Sequence, residues 1–253
     1  MTSTSTATVT PLAVQLYSVR DQMRPDPRPV LQQLAGAGYG AVEGYDPLHE
    51  PESFRSLLDE LGLVMCSTHA PVLGDRQAEV LTAAATLGTD TVIAPSAPRG
   101  LWDSAQGLDE LAGQLNDAAR KAAEHGITIG YHNHGFEFEH HIDGAYALEA
   151  LAERLDPAVI LELDTYWAHV AGADVVALLG RLGSRVRFLH VKDGPGTAKD
   201  PMTAVGTGVL DVPAILHANP AVRWHVVELD ECATDMVTAL AQSAEYLSRE
   251  GVR

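Results

Sequence analysis

The sequence predicts a single α/β domain, a (β/α)8 barrel. Eight short apolar, largely β-branched runs alternate with eight helix-like segments along 253 residues, without a second composition regime or a linker. That alternation implies parallel strands covered by helices, and about 250 residues is the usual length of eight βα units closed on themselves. The competing architecture, an open doubly wound sheet, would carry G-x-G-x-x-G after its first strand; here the first strand is followed by S-V-R-D-Q-M.

Each element has a local reason. Residues 1–9 are polar, lack an apolar signal core and read as a lead-in, so the barrel spans 10–253. Residues 12–17 (L-A-V-Q-L-Y) form the first strand, with the loose alternation of a strand buried on both faces. Pro25, Pro27 and Pro29 mark a loop and helix start, and Gly36, Gly38 and Gly40 end a helix over 30–37. A second strand at 41–45 precedes a helix over 51–61, with Pro51 in its first turn and Gly62 after it. Strand 64–69, helix 75–87 closed by Gly88, and strand 91–94 follow. Asp103 is placed to cap a helix running to about His125, which Gly126 stops. The fifth strand, 127–132, leads into two glutamates alternating with phenylalanines, Phe136–Glu139, which read as a strand extension. Helix 145–155, strand 159–163, helix 174–182 and strand 186–191 continue the rhythm. A Gly/Pro-rich loop over 193–208, a short helix at 212–218, strand 224–229 and helix 234–249 complete it.

Composition narrows the function. A formal net charge of −17 repels phosphate backbones and anionic membranes, so neither nucleic acid nor membrane is an expected partner. Cys66 and Cys232 are far apart and show no redox or zinc-ligand spacing, which fits a reduced, cytoplasmic setting. No apolar run approaches the ~18–20 residues of a membrane span.

A barrel puts its chemistry at the C-terminal ends of its strands. Those ends carry Gln15 and Tyr17, Glu43, Thr68 and His69, His132-Asn133-His134, Asp164, His190 with Lys192 and Asp193, and Glu228 with Asp230. A solvated end residue explains any one of them, but not the set. Asp164, His190 and Glu228 each follow an apolar run at equivalent depth, L-E-L-D, R-F-L-H and H-V-V-E, and should converge from three consecutive strands. Two carboxylates and an imidazole suit one divalent ion of the Mn2+, Mg2+, Co2+ or Zn2+ kind, between which mixed oxygen and nitrogen ligation does not decide; Mn2+ is the ion expected first. His132 offers a fourth ligand, and Glu137 is an alternative to it.

In V-Q-L-Y-S-V-R, Y-H-N-H-G-F-E-F, L-E-L-D-T-Y-W, F-L-H-V-K-D, V-G-T-G-V-L-D and V-V-E-L-D, the chain resembles the xylose isomerase-like barrel superfamily, in its sugar phosphate isomerase/epimerase branch. The resemblance covers nearly the whole chain. It implies a metal set of Glu, Asp, His and Glu from strands five to eight, of which Asp164, His190 and Glu228 match the last three. His132 stands where many sugar epimerases have a glutamate, and Trp167 stands where a histidine is frequent three residues after the aspartate. The H-N-H run is closer to the H-H-H run of inosose dehydratases and to that of bacterial barrels ascribed activity on 3-keto sugars and glycosides. Apurinic-site endonucleases share the barrel, but their D-x-H after strand seven is here Asp193-Gly194-Pro195.

The resemblance implies proton abstraction beside a metal-polarised carbonyl; because no phosphate-specific site is evident in the sequence, the expected substrate is a small unphosphorylated sugar or cyclitol. Glu228 is the candidate base, or a ligand only. His134 and Lys192 are candidate acids, with orientation of a ligand by His134 and pairing of Lys192 with Asp193 as alternatives. Tyr17, Glu43, His69, Glu137 and Trp167 are candidate substrate contacts, and the loop 205–211 offers backbone N–H groups to a polyol. Isomerisation or epimerisation leads. Lyase or dehydratase chemistry on a keto-inositol or 3-keto glycoside is the alternative, and a non-catalytic sugar-binding barrel is a third. Dimers and tetramers are common among such proteins, so a homo-oligomer is compatible with the chain, which carries no interface signature.

Overall fold

Strand β1 (Leu12–Gln15) lies parallel to β2 (Ala41–Gly44) on one side and to β8 (Trp224–Val227) on the other, and that second pairing closes the sheet. Between them run β3 (Val64–His69), β4 (Thr91–Ala94), β5 (Thr128–His132), β6 (Ile160–Asp164) and β7 (Val186–Val191), giving the closed eight-stranded parallel barrel expected from the sequence. The computed structural model describes residues 12–252, and the expected lead-in, 1–9, lies outside the described residues. No helix among the described residues is long and apolar enough to cross a membrane. Cys66 and Cys232 are both free thiols.

The outer faces of the strands pack their apolar residues against a helical layer: α1 (Arg28–Gly36), α2 (Pro51–Leu61), α3 (Gln77–Leu87), α4 (Ala105–Ala123), α5 (Ala147–Arg154), α6 (Thr165–Val170), α7 (Val175–Leu182), α8 (Val212–His217) and α9 (Met236–Arg249). Inside the barrel a separate small cluster of Ala13, Ala41, Cys66, Ile93, Phe188 and Val226, flanked by Ile160 and Trp224, makes an apolar floor. Gly130 leaves room for the floor residues on either side of it. A Cβ there would stand 3.1 Å from Ile160 Cγ1 and 3.2 Å from Ile93 Cγ1.

Several boundaries differ from the sequence reading, each for a local reason. Residues 16 and 17 leave the first strand for a 3-10 turn, Leu16–Val19, in which the Gln15 side chain accepts the Tyr17 N–H. Phe136–Phe138 is a 3-10 turn rather than a strand extension. Residues 145–146 pair with 141–142 in a small antiparallel hairpin before α5 begins. Ser104, not Asp103, caps α4, its hydroxyl accepting the Gly107 N–H at 3.1 Å. Helix α6, which no apolar periodicity predicts, starts directly on Asp164, whose carboxylate accepts the Trp167 N–H at 2.8 Å. Asp235 caps α9 in the same way, so that helix starts at 236 rather than 234.

Candidate metal and proton-transfer site

Above the apolar floor the barrel interior turns polar. Side chains in a strand repeat every two residues, so β6 sends Ile160 to the floor and Glu162 and Asp164 above it. In the same way β7 stacks Phe188, His190 and then Lys192. The eight charged or imidazole side chains at the heart of this region, Glu43, His69, His132, Glu162, Asp164, His190, Lys192 and Glu228, are at most 9% exposed, so solvent does little to satisfy them.

In the lower tier Glu43 and Glu162 meet three imidazoles. His190 Nε2 lies 2.7 Å from Glu43 Oε1 and 3.0 Å from Glu162 Oε2, and His69 Nε2 lies 2.6 Å from the same Glu162 oxygen. His132 Nδ1 approaches it to 3.1 Å. Gln15 Nε2 donates to Glu43 at 2.8 Å, and the Ser67 hydroxyl donates to its other oxygen. In the upper tier His190 turns its other nitrogen, Nδ1, to Glu228 Oε2 at 2.7 Å. Lys192 Nζ lies 2.6 Å from that oxygen, 2.9 Å from Asp164 Oδ2 and 3.0 Å from Asp230 Oδ2. The Trp167 indole N–H donates to Asp230 Oδ2 at 3.0 Å.

The strand ends are tied together by side chains. Asn133 Oδ1 accepts the Asp164 N–H at 3.0 Å and Thr165 Oγ1 donates to the His190 carbonyl at 2.9 Å. These bonds hold the ends of β5, β6 and β7 in register.

Charge follows from this packing. Burial would raise the Glu43 and Glu162 carboxyls, but the neighbouring imidazoles outweigh it; Glu43 is held well below the usual carboxylate range and Glu162 at about 2. Burial opposes protonation of His69 and His190, yet the glutamates around them prevail, moving His69 up to about 10 and His190 well above its ordinary value. His132 goes the other way, because burial and the positive His190 beside it both disfavour its charged form. Lys192 is pushed up against its burial by Asp164, Glu228 and Asp230, and it and His190 hold Glu228 well down.

A divalent cation fits these residues. Two overlapping groups of four buried donors each lie within 4.8 Å of one another: His132, Asp164, His190 and Glu228, and His69, His132, Glu162 and His190. His132 Nδ1, Glu162 Oε1 and Asp164 Oδ2 are buried without a well-aligned hydrogen bond, which is rare for native polar atoms. Four buried carboxylates, Glu43, Glu162, Asp164 and Glu228, share the cluster with Lys192, its one permanent cation, so their remaining charge is balanced either by protons on the imidazoles or by a bound cation. Mixed imidazole and carboxylate donors accept Mn2+, Co2+ or Zn2+ alike.

The chain belongs to the xylose isomerase-like TIM barrel family. That family's sequence pattern matches residues 31–218, most of the barrel. An inosose dehydratase from Mesomycoplasma hyopneumoniae (strain 7448) is 38% identical over 90 residues, 35% of this chain and 29% of that one. An inosose dehydratase from Geobacillus kaustophilus (strain HTA426) is 28% identical over 192 residues, 65% of this chain and 61% of that one. The chain therefore matches less than two thirds of the length of either relative. A crystal structure of a sugar phosphate isomerase/epimerase from Parabacteroides distasonis ATCC 8503 superposes with a TM-score of 0.78 at 24% identity, covering 97% of this chain and 96% of that one. The IolI protein with a binding zinc atom superposes with a TM-score of 0.72 at 15% identity, covering 95% and 97%. At these identities the structural likeness bears on the fold alone.

The residues singled out in the sequence divide into three groups. Glu43, His69, His132, Asp164, His190, Lys192 and Glu228 meet in the interior cluster. His134, Tyr17 and Trp167 stand at its mouth. The His134 side chain is 42% exposed and its ring stacks on Phe136, while Tyr17 is 44% exposed and meets Tyr45 edge-on. Glu137 is apart from both groups: it is fully buried, with one carboxylate oxygen accepting the Tyr131 hydroxyl at 2.9 Å and the other the His134 N–H at 2.8 Å. That leaves His132, not Glu137, as the strand-five side chain in the cluster.

Lys192 does not pair with Asp193. The Asp193 carboxylate instead accepts the backbone N–H groups of Gly194, Gly206, Gly208 and Leu210 at 2.9–3.2 Å. The N–H groups expected to meet a polyol from the loop 205–211 are thus largely committed inside the protein, since Ser243 Oγ takes the Val205 N–H and the Gly194 carbonyl that of Val209. Gly208 is required here, because a Cβ would lie 2.1 Å from Asp193 Oδ1 and 2.3 Å from Gly194 N. Glu162 escaped the sequence reading, although its two-residue spacing from Asp164 in L-E-L-D already puts it on the same inward face.

Proposed function

We propose that this barrel is a divalent-metal-dependent sugar isomerase or epimerase that moves a proton next to a carbonyl on a small unphosphorylated sugar or cyclitol. The observation that carries the reading is the convergence of His132, Asp164, His190 and Glu228 with Lys192 in one buried cluster above the barrel floor. His132, Asp164, His190 and Glu228 would hold the ion, whose contribution is Lewis-acid polarisation of the substrate carbonyl. Glu228 is the base: its carboxylate is held ionised by His190 and Lys192 in the metal-free protein, and beside the ion it would take the α-proton. The Lys192 ammonium supplies positive charge to an oxyanion developing beside it. His134, at the mouth, is positioned by its N–H bond to Glu137 to carry a proton to or from solvent. Tyr17 and Trp167 offer aromatic faces to a sugar ring.

A second reading is favoured by two specific observations: the H-N-H run in strand five, and relatives that are inosose dehydratases. There the same base removes the α-proton, and loss of a β-hydroxyl or an aglycone follows. One experiment separates the readings. Chelator-treated protein is reloaded with Mn2+ and incubated in D2O with free ketoses, inososes and 3-keto glycosides, and NMR follows the carbon next to the carbonyl. Deuterium uptake with epimer or isomer formation supports the first reading, and release of water or aglycone supports the second. Glu228→Gln should slow either by about 10²–10⁴-fold. Failure to bind any divalent ion, with no exchange on the whole panel, would sink both.

A further inference from the structure

The lower tier contains a ligand set that differs from the one the family resemblance implies. His69, His132, Glu162 and His190 come from β3, β5, β6 and β7, are all buried, and each bring a donor atom within 4.8 Å of the others. Three imidazole nitrogens converge on one oxygen: Glu162 Oε2 lies 2.6 Å from His69 Nε2, 3.0 Å from His190 Nε2 and 3.1 Å from His132 Nδ1. A carboxylate oxygen has lone pairs for about two well-directed hydrogen bonds. The third imidazole is left over; His132 Nδ1 is buried and unbonded, and so is Glu162 Oε1. Two ligands each about 2.1 Å from one tetrahedrally held ion stand about 3.4 Å apart, so an ion seated here moves the donors apart by only about 0.3–0.8 Å from their present separations. The upper carboxylates are already engaged by another cation, since Asp164 and Glu228 both touch the Lys192 ammonium.

We propose that the barrel has a second divalent-cation position, one tier below the strand-end carboxylates, held by His69, His132, Glu162 and His190. Three imidazoles and a carboxylate favour a borderline ion, Zn2+ or Co2+, over Mg2+. The proposal rests on the reading that the chain binds a divalent ion, and adds a place for it that the resemblance does not supply. The two positions share His132 and His190 through opposite ring nitrogens: Nδ1 of His132 and Nε2 of His190 face the lower one, while Nε2 of His132 and Nδ1 of His190 face the upper. A neutral imidazole has one lone pair, so a single ion fills one position or the other. In the lower position it leaves Asp164 and Glu228 to Lys192. In the upper it displaces Lys192, and the His132 Nδ1–H and His190 Nε2–H then donate to Glu162 and Glu43, as metal-bound histidines commonly do to carboxylates.

The test counts histidines around the ion. Substrate-free protein is loaded with one equivalent of Zn2+, and X-ray absorption at the zinc edge reads the number of imidazoles from their multiple scattering. Three imidazoles are expected in the wild type and two in His69→Ala, with an affinity loss of at least about tenfold. Asp164→Asn, in which Lys192 keeps Glu228 and Asp230, should retain the ion and all three imidazoles. Two imidazoles in the wild type would overturn the lower position while leaving the proposed function standing. A wild type that binds no Zn2+, Co2+ or Mn2+ would overturn both. The wild-type count is decisive alone, so a variant that fails to fold does not blunt the test.

Discussion

Replacing Lys192 by methionine separates the two cations that compete for the upper tier. The ammonium is 1% exposed and lies 2.9 Å from Asp164, 2.6 Å from Glu228 and 3.0 Å from Asp230. Lys192→Met keeps most of the side-chain volume and removes the charge, leaving Asp164 uncompensated and Glu228 with only His190 beside it. Breaking a buried ion pair from one side costs about 3–5 kcal/mol. For a chain of this size each kcal/mol moves the melting temperature by about 2–4 °C, so the metal-free variant should melt roughly 6–20 °C below wild type. Saturating Mn2+ should narrow that gap. An ion entering the upper position of the wild type must first displace Lys192 from Asp164 and Glu228, whereas in the variant those oxygens are free to take it. The assay is thermal unfolding followed by circular dichroism, with chelator and with Mn2+, together with calorimetric titration of the ion. Equal melting temperatures without metal, or an ion-induced rise no larger in the variant than in the wild type, would refute the reasoning.

Asp193→Ala should release the loop 194–210, because four backbone N–H groups lose one carboxylate. A cost of about 2–4 kcal/mol is expected, with faster tryptic cleavage after the exposed Lys199; Gly208→Ala should act in the same direction through its clash with Asp193. His225 faces the helical layer with neither ring nitrogen bonded, and burial followed by the nearby His217 holds it at about 4, against an ordinary 6.5. Between those values only the unfolded chain binds the proton. Its contribution to stability is therefore complete above pH 6.5 and is lost as pH falls towards 4, by about 3 kcal/mol for a gap of about 2.5 pH units. Urea unfolding of wild type and His225→Phe at pH 7 and pH 4.5 should show the smaller acid loss in the variant; parallel losses would count against the assignment.

Much of the architecture was legible along the chain. All eight barrel strands fall where apolar, β-branched runs predict them, and Pro51, Gly62 and Gly88 mark helix ends as the sequence predicts. The boundaries that moved did so through contacts with particular side chains. Gln15 draws residues 16 and 17 into a turn, Ser104 takes the cap expected of Asp103, and Asp164 starts a helix that no apolar periodicity announced. A cap depends on which oxygen reaches which N–H, and neighbouring candidates in the sequence are equivalent until the backbone direction is set.

The same division holds in the site. Strand order and the two-residue repeat determine by themselves that Asp164, His190 and Glu228 arrive at one end of the barrel, because parallel strands must all point their C-terminal ends the same way. Which groups then share a proton, an ion or a hydrogen bond was decided only by closure of the sheet. Closure brings β2 and β3 across the interior to β6 and β7, so that Glu43 and His69 meet His190 and Glu162, residues 93 to 147 positions away along the chain. It also turns Lys192 from its neighbour Asp193 to Asp164 and Glu228. Adjacent residues in an extended segment point to opposite faces, and the carboxylates within the ammonium's reach belong to other strands.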